Sequence, residues 1–110
     1  MANTFKNAYL DVTSSAQTIY TAPASTTSIV LTLRATNVDG ASDDTITAEV
    51  INSGGTPAAK IAHTITVPAD SSIELAGTSK IVLETGDYIQ LTGGASSGDI
   101  EAFASILEIT

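Results

Sequence analysis

Cysteine is absent from the chain, and lysine and arginine come to only four of its 110 residues. Without cysteine there is no disulfide and no thiolate metal site, and redox chemistry gives no sign of the compartment. The single histidine, His63, cannot complete any of the usual zinc ligand sets. Four basic residues against 12 acidic ones leave a formal net charge of −8. Such a surface repels phosphate and has few cations with which to release counterions, so neither nucleic acid nor an anionic membrane is expected as a partner. The charge is expected to keep a concentrated protein dissolved. Aromatic residues are scarce: Phe5, Tyr9, Tyr20, Tyr88 and Phe103. That is a thin basis for stacking bases or sugars. No apolar run approaches a signal core or a membrane span, and Met1 leads into the polar ANTFKN. The expectation is a soluble protein made without Sec export.

What the chain has in quantity is threonine and serine, 17 and 12 by count, beside many valines and isoleucines. β-Branched side chains lose rotamer freedom on a helix and pack well on a pleated sheet. The length suits one domain over 1–110, and such a domain buries about 65% of its unfolded surface, enough for a modest core. Period-two alternation recurs. TSIVLTLRAT (27–36) sets Ile29, Leu31, Leu33 and Ala35 against Val30, Thr32, Arg34 and Thr36. DTITAEVI (44–51) sets Ile46, Ala48 and Val50 against Thr45, Thr47 and Glu49, and KIAHTITV (60–67) aligns Ile61, His63, Ile65 and Val67. FKNAYLDV (5–12), QTIYTA (17–22), SIEL (72–75), KIVLE (80–84) and DYIQLT (87–92) read as further strands. DIEAFASILEI (99–109), apolar on both parities, reads as a central strand, with both faces covered or a bulge partway, and a helix over 100–108 as the alternative. NVDGASDD (37–44), NSGGTP (52–57), VPADSS (67–72), the turn Ala76-Gly77-Thr78 and the flexible tip GGASSG (93–98) supply the connections. The pattern predicts an all-β fold, a single antiparallel β-sandwich of about eight short strands, with a jelly roll as the candidate arrangement.

No constellation for chemistry assembles. In KIVLETGDYIQLTGG (80–94), Glu84 and Asp87 flank Thr85-Gly86 between inward Leu83 and Ile89. Gly86 supplies the positive φ of a turn, and Asp87 can accept backbone N–H groups, so hairpin geometry accounts for both acids. His63, mid-strand beside Ile61 and Ile65, reads as a core-edge histidine, and no GxSxG elbow accompanies it. Asp39, Asp43 and Asp44 with Asn37 form an oxygen-rich loop, but their spacing is not that of an EF-hand, and a solvated acidic loop is the favoured reading over a Ca²⁺ site. GGASSG lacks the lysine and helix of a phosphate-binding loop. Neither catalytic residues, nor a metal, nor a cofactor is expected.

The ordered set TIYTAPASTTSIVLTLRATNVDG, VPADSSIELAG, KIVLETGDYIQLTG and ASILEI resembles a family of small tailed-phage virion structural proteins of marine and cyanobacterial phage type. The resemblance spans about residues 5–109 and rests on strand-and-turn signatures: Tyr20 and Pro23, Asn37 and Gly40, Pro68 to Leu75, and Glu84 to Asp87. It implies a non-enzymatic capsid decoration (cement) protein, made in the host cytoplasm and bound to the outer surface of the shell. The implied partners are the major capsid protein or other virion proteins, and the implied state is a monomer or a small homo-oligomer such as a trimer. A tail, neck or fibre-associated component is the first alternative. A host-glycan-binding module using loops 37–44, 52–57 and 93–98 is the second. Candidate interface residues are Phe5, Lys6, Tyr20, Ile73 and Tyr88, chosen as apolar or aromatic side chains on exposed parities together with the N-terminal segment. MANTFKN is expected to be frayed or ordered by a neighbour, with residues 1–4 loosest.

Overall fold

The computed structural model describes residues 2–77, 79–94 and 99–110. The described residues fold into nine antiparallel strands: β1 Asn3–Val12, β2 Gln17–Thr21, β3 Thr27–Asn37, β4 Asp44–Ile51, β5 Pro57–Val67, β6 Ser72–Glu74, β7 Ile81–Leu83, β8 Tyr88–Gly93 and β9 Ile100–Ile109. Two sheets stack as a sandwich. One runs β1-β9-β3-β6, with β7 also pairing β3, and the other runs β2-β8-β4-β5. Apart from the β4–β5 hairpin, each connection between consecutive strands up to β5 passes from one sheet to the other. The chain then returns through β6 and β7 to β3, on to β8, and back to β9, which is the winding of a jelly roll. The count is nine rather than about eight because the strand lying along β3 is broken. β6 pairs Arg34–Thr36 and β7 pairs Ser28–Val30. Between them, Leu33 N–H is taken by a side chain, the Glu74 carboxylate at 2.7 Å, in place of a ladder bond.

The core lies between the sheets. Val12, Val30, Leu33, Ile46, Val67, Leu83, Ile89, Leu91, Ile100 and Ile106 are fully enclosed, with Ala35, Ala48, Ala62, Ala102 and Ala104 filling the narrower gaps. β9 keeps one unbroken alternation: Ile100, Ala102, Ala104, Ile106 and Glu108 point inward. It is the central strand that its composition predicts, with β1 on one side and β3 on the other. β8 and the first half of β4 also follow the expected parity.

β3 and β5 do not. In β3 the register against β9 shifts between Val30 and Thr32, so Leu31 is an extra residue. Ser28 and Val30 point inward before it, Leu33, Ala35 and Asn37 after it, and the expected inward Ile29 and Leu31 are only half-buried. In β5, Ile65 pairs with Ile46 and Ala62 with Ala48, leaving two residues, His63 and Thr64, opposite Thr47. Thr64 adopts φ 50° to make that bulge. Ala62 and Val67 are therefore buried, and His63 is exposed instead of lying at the core edge.

The N-terminal end also differs from expectation. Asn3 and Thr4 belong to β1, paired with Ile109 and Glu108, and Ala2 exchanges hydrogen bonds with Thr110. The turn at Gly86 (φ 86°) is built as expected: Asp87 Oδ2 accepts from Glu84 N–H and Asp87 Oδ1 from Ser53 N–H. Gly77 has φ 62°. Thr78, in the expected Ala76-Gly77-Thr78 turn, and 95–98 of the expected flexible tip lie outside the described residues.

Candidate interaction surface

Because β9 buries its even-numbered positions, its odd-numbered ones face out of the sandwich, and the register places their neighbours beside them. Phe5, Leu107, Ile29 and Val82 form one row across β1, β9, β3 and β7. Asn7 and Ser105 form the next, joined by a hydrogen bond from Ser105 Oγ at 3.2 Å. Tyr9, Phe103, Arg34 and Glu74 make a third row, and Asp11, Glu101, Thr36 and Ser72 a fourth. Phe5 is 75% exposed, Tyr9 72% and Val82 59%, while Leu107, Ile29 and Phe103 are half-buried. The Tyr9 and Phe103 rings stand 5.4 Å apart and tilted. Beside them a shallow depression of about 350 Å³ is lined by Tyr9, Leu10, Asp11, Thr36, Glu101, Ala102 and Phe103. Single exposed apolar residues are ordinary, but a contiguous row across four strands is a candidate contact surface.

Of the five residues singled out by sequence, only Phe5 stands in this row. Tyr88 lies on the outward parity of β8 in the other sheet, half-buried and opposite Ile51. Lys6, Tyr20 and Ile73 are not on exposed apolar ground. Ile73 packs against the core. Lys6 sits on the inward parity of β1, opposite Ile106, and its Nζ is 3.1 Å from Glu108 Oε1. Tyr20 packs against the core, donates its hydroxyl hydrogen to Glu108 Oε2 at 2.5 Å and lies 2.7 Å from Ser28 Oγ. Glu108 and Ser28 are buried, and with Tyr20 and the half-exposed Lys6 they form a polar link between β1, β2, β3 and β9. The hydrogen bond from Tyr20, with Lys6 assisting, holds the Glu108 carboxyl below its usual value of 4.5 against the opposing effect of burial. Burial first, and the Glu108 carboxylate second, push the Tyr20 hydroxyl up to about 12. Sequence reasoning missed Tyr9 and Val82. The polar parity of Asn7 and Asp11 marks Tyr9 as outward, whereas nothing local to IVL tells which of its residues faces water.

The acidic loop turns one oxygen of each carboxylate to backbone N–H groups, within the loop and on neighbouring segments. Asp39 Oδ1 accepts from Ala41 and Ser42 N–H, Asp43 Oδ1 from Ala69 N–H, and Asp44 Oδ1 from Thr45 and Gly94 N–H. The fully buried Asn37 ties the loop to Ser42 and Val67 carbonyls. Among the described residues no group of three or more His, Asp or Glu is placed to hold a metal ion. No helix there is long and apolar enough to cross a membrane. Loops 37–44, 52–57 and 93–98 contain no aromatic residue on which a sugar could stack.

Sheet edges are the other route to association, and both long ones carry protection. β5 begins at Pro57, presents Lys60 and has an irregular register. β1 carries the inward-pointing charge of Lys6. Proline, bulges and inward charges are the devices that discourage strand addition. The open face of the five-stranded sheet is therefore the surface best suited to a partner.

No family model matches the chain. No curated protein is similar to it in sequence. Among solved structures, one from a study describing Bacillus endospore appendages as a novel family of disulfide-linked pili is similar over 99% of this chain and 87% of that one. The sequence identity is 17% and the TM-score 0.58. At that identity the likeness is one of fold, and it agrees with the sandwich built above.

Proposed function

We propose that this chain is a non-enzymatic structural module that attaches in many copies to a larger protein assembly through the outer face of its five-stranded sheet. The observation that carries this reading is the row Phe5, Leu107, Ile29 and Val82, two of whose members are more than half exposed. The finer reading is decoration of the outer surface of a tailed-phage capsid, supported by the resemblance over about residues 5–109. A net charge of −8 suits the outside of a shell better than contact with packaged DNA. A tail or neck location uses the same face and differs in number of copies. Quantitative mass spectrometry of purified particles tests this: copies comparable to the shell subunit are expected, and a handful per particle would move the module to the tail.

A second reading, a subunit of an extracellular appendage, draws on the fold likeness to the endospore pilus structure. This chain has no cysteine, so an appendage built from it would be held together without disulfides. Electron microscopy of the purified chain separates the two readings, since an appendage subunit forms filaments and a decoration module does not.

A further inference from the structure

We propose that the depression beside Tyr9 and Phe103 seats a cationic side chain, arginine or lysine, from the protein that covers the apolar row. The inference rests on the reading of this face as an attachment surface and adds the chemistry of the partner. Three observations meet there. Asp11 and Glu101 are direct cross-strand partners, and both are exposed. Like charges placed opposite each other on a sheet repel, so the free module carries a local cost that a cation relieves. The adjoining walls are two aromatic rings 5.4 Å apart, one of them 72% exposed, and an aromatic face beside carboxylates attracts a cationic head. Finally, no cation among the described residues pairs with these acids. Among the described residues the ion pairs are Lys6 with Glu108 and Lys60 with Glu49, and Arg34, across Phe103 on β3, is within ion-pair distance of neither Asp11 nor Glu101.

A second copy of this chain fits the face less well. Successive rows lie about 7 Å apart along the strands, so the acids stand about 20 Å from the apolar row. If two copies stack face to face about a two-fold axis running along the apolar row, each acid pair falls beyond the end of the facing sheet. If that axis shifts so that Arg34 of one copy meets Asp11 and Glu101 of the other, the apolar rows no longer overlap, and if the axis runs along the strands instead, the apolar rows overlap but the acidic rows of the two copies face each other. A different protein, with an apolar stripe and a basic residue about 14–20 Å from it, satisfies both features at once. The net charge of −8 also opposes pairing of identical copies and favours a basic partner.

The test is a titration of the isotopically labelled full chain with N-acetylarginine amide, followed by amide NMR shifts, beside the neutral isostere N-acetylcitrulline amide. Saturating shifts confined to residues 9–11, 36 and 101–103 are expected, at least tenfold weaker with the citrulline compound and in the Asp11→Asn/Glu101→Gln variant. That variant loses only surface repulsion, so its spectrum remains folded and its thermal midpoint equals or exceeds that of the parent. Equal shifts with both compounds, or an unchanged response in the variant, would overturn the cation site. Sedimentation of the free chain supplies the second arm. A monomer is expected, and a concentration-dependent dimer abolished by Phe5→Ser/Val82→Ser would assign the face to a second copy and overturn the proposal of a different partner. Neither measurement depends on particle copy number, so the attachment reading and the cation site can fail separately.

Discussion

At the scale of single residues, the most consequential group is one that no alternation pattern reveals. Tyr20, Ser28, Lys6 and Glu108 come from four strands and both sheets, and a buried carboxylate is tolerable there only because each oxygen has a partner. Removing the phenol leaves Glu108 Oε2 short of its donor, so Tyr20→Phe is expected to destabilise the fold by about 2 kcal/mol, measured by urea denaturation at neutral pH. The pH dependence of stability supplies an independent check. The folded Tyr20 hydroxyl titrates at about 12 against 10.0 for an unperturbed phenol. A raised pKa stabilises fully below the unfolded value and is lost as pH climbs through the folded one. The parent should therefore lose stability between pH 10 and 12 by more than Tyr20→Phe does, and matching alkaline profiles would contradict this role. Gly86 carries a second prediction at this scale. Its φ is 86°, and a Cβ there would lie 2.6 Å from Ser53 Cβ. Gly86→Ala thus meets both left-handed strain and a contact that the backbone must move to relieve. A loss of about 2 kcal/mol or more is expected in the same denaturation assay.

At the scale of elements, what the sequence makes legible ends where a strand gains one residue. β9, β8 and the first half of β4 are regular, so their alternation reads correctly from end to end. In β3 and β5 a single insertion exchanges the faces. Neither site announces itself: Leu31 is an ordinary strand residue, and Thr64 reaches φ 50° without being glycine. The break between β6 and β7 is equally hidden, because it depends on Glu74 reaching the Leu33 amide from a neighbouring strand. The exposed apolar row is subject to the same limit. Phe5 was legible from a regular strand, Val82 sits in a three-residue strand with no period to read, and Tyr20 was drawn inward by a distant carboxylate. The Thr64 bulge also makes a prediction. A β-branched residue with positive φ is strained, while its N–H, which donates to Thr47 Oγ1 at 2.9 Å, does not depend on its side chain. Thr64→Gly is expected to raise stability by about 0.5–1 kcal/mol, seen as a higher thermal midpoint. A lower midpoint would mean that the threonine side chain contributes more than the strain costs.

At the scale of the whole molecule, the body measures 47 × 26 × 21 Å and is acidic and free of cysteine, with one sheet face more apolar than its surroundings. Any assembly containing it forms no disulfide through this chain, unlike the disulfide-linked pili of the study whose structure its fold is similar to. Eight net negative charges per copy repel identical copies at neutral pH, so the proposed attachment draws on apolar burial together with opposite charge on the partner. The relative size of these two contributions can be stated. Exposed ion pairs contribute at most about 1 kcal/mol each, whereas fully burying a phenylalanine or valine side chain contributes about 1.5–3 kcal/mol. Phe5→Ser/Val82→Ser is therefore expected to weaken attachment by about 3 kcal/mol, on the order of a hundredfold in affinity. The fold should be unaffected, because both side chains already face water. Particles assembled with the parent chain should retain it through treatment with a thiol reductant, and particles assembled with the double variant should shed it on dilution and washing. Retention of the variant at parental copy number would move attachment to the other sheet, where the outward-facing Tyr88 would be the next residue to replace.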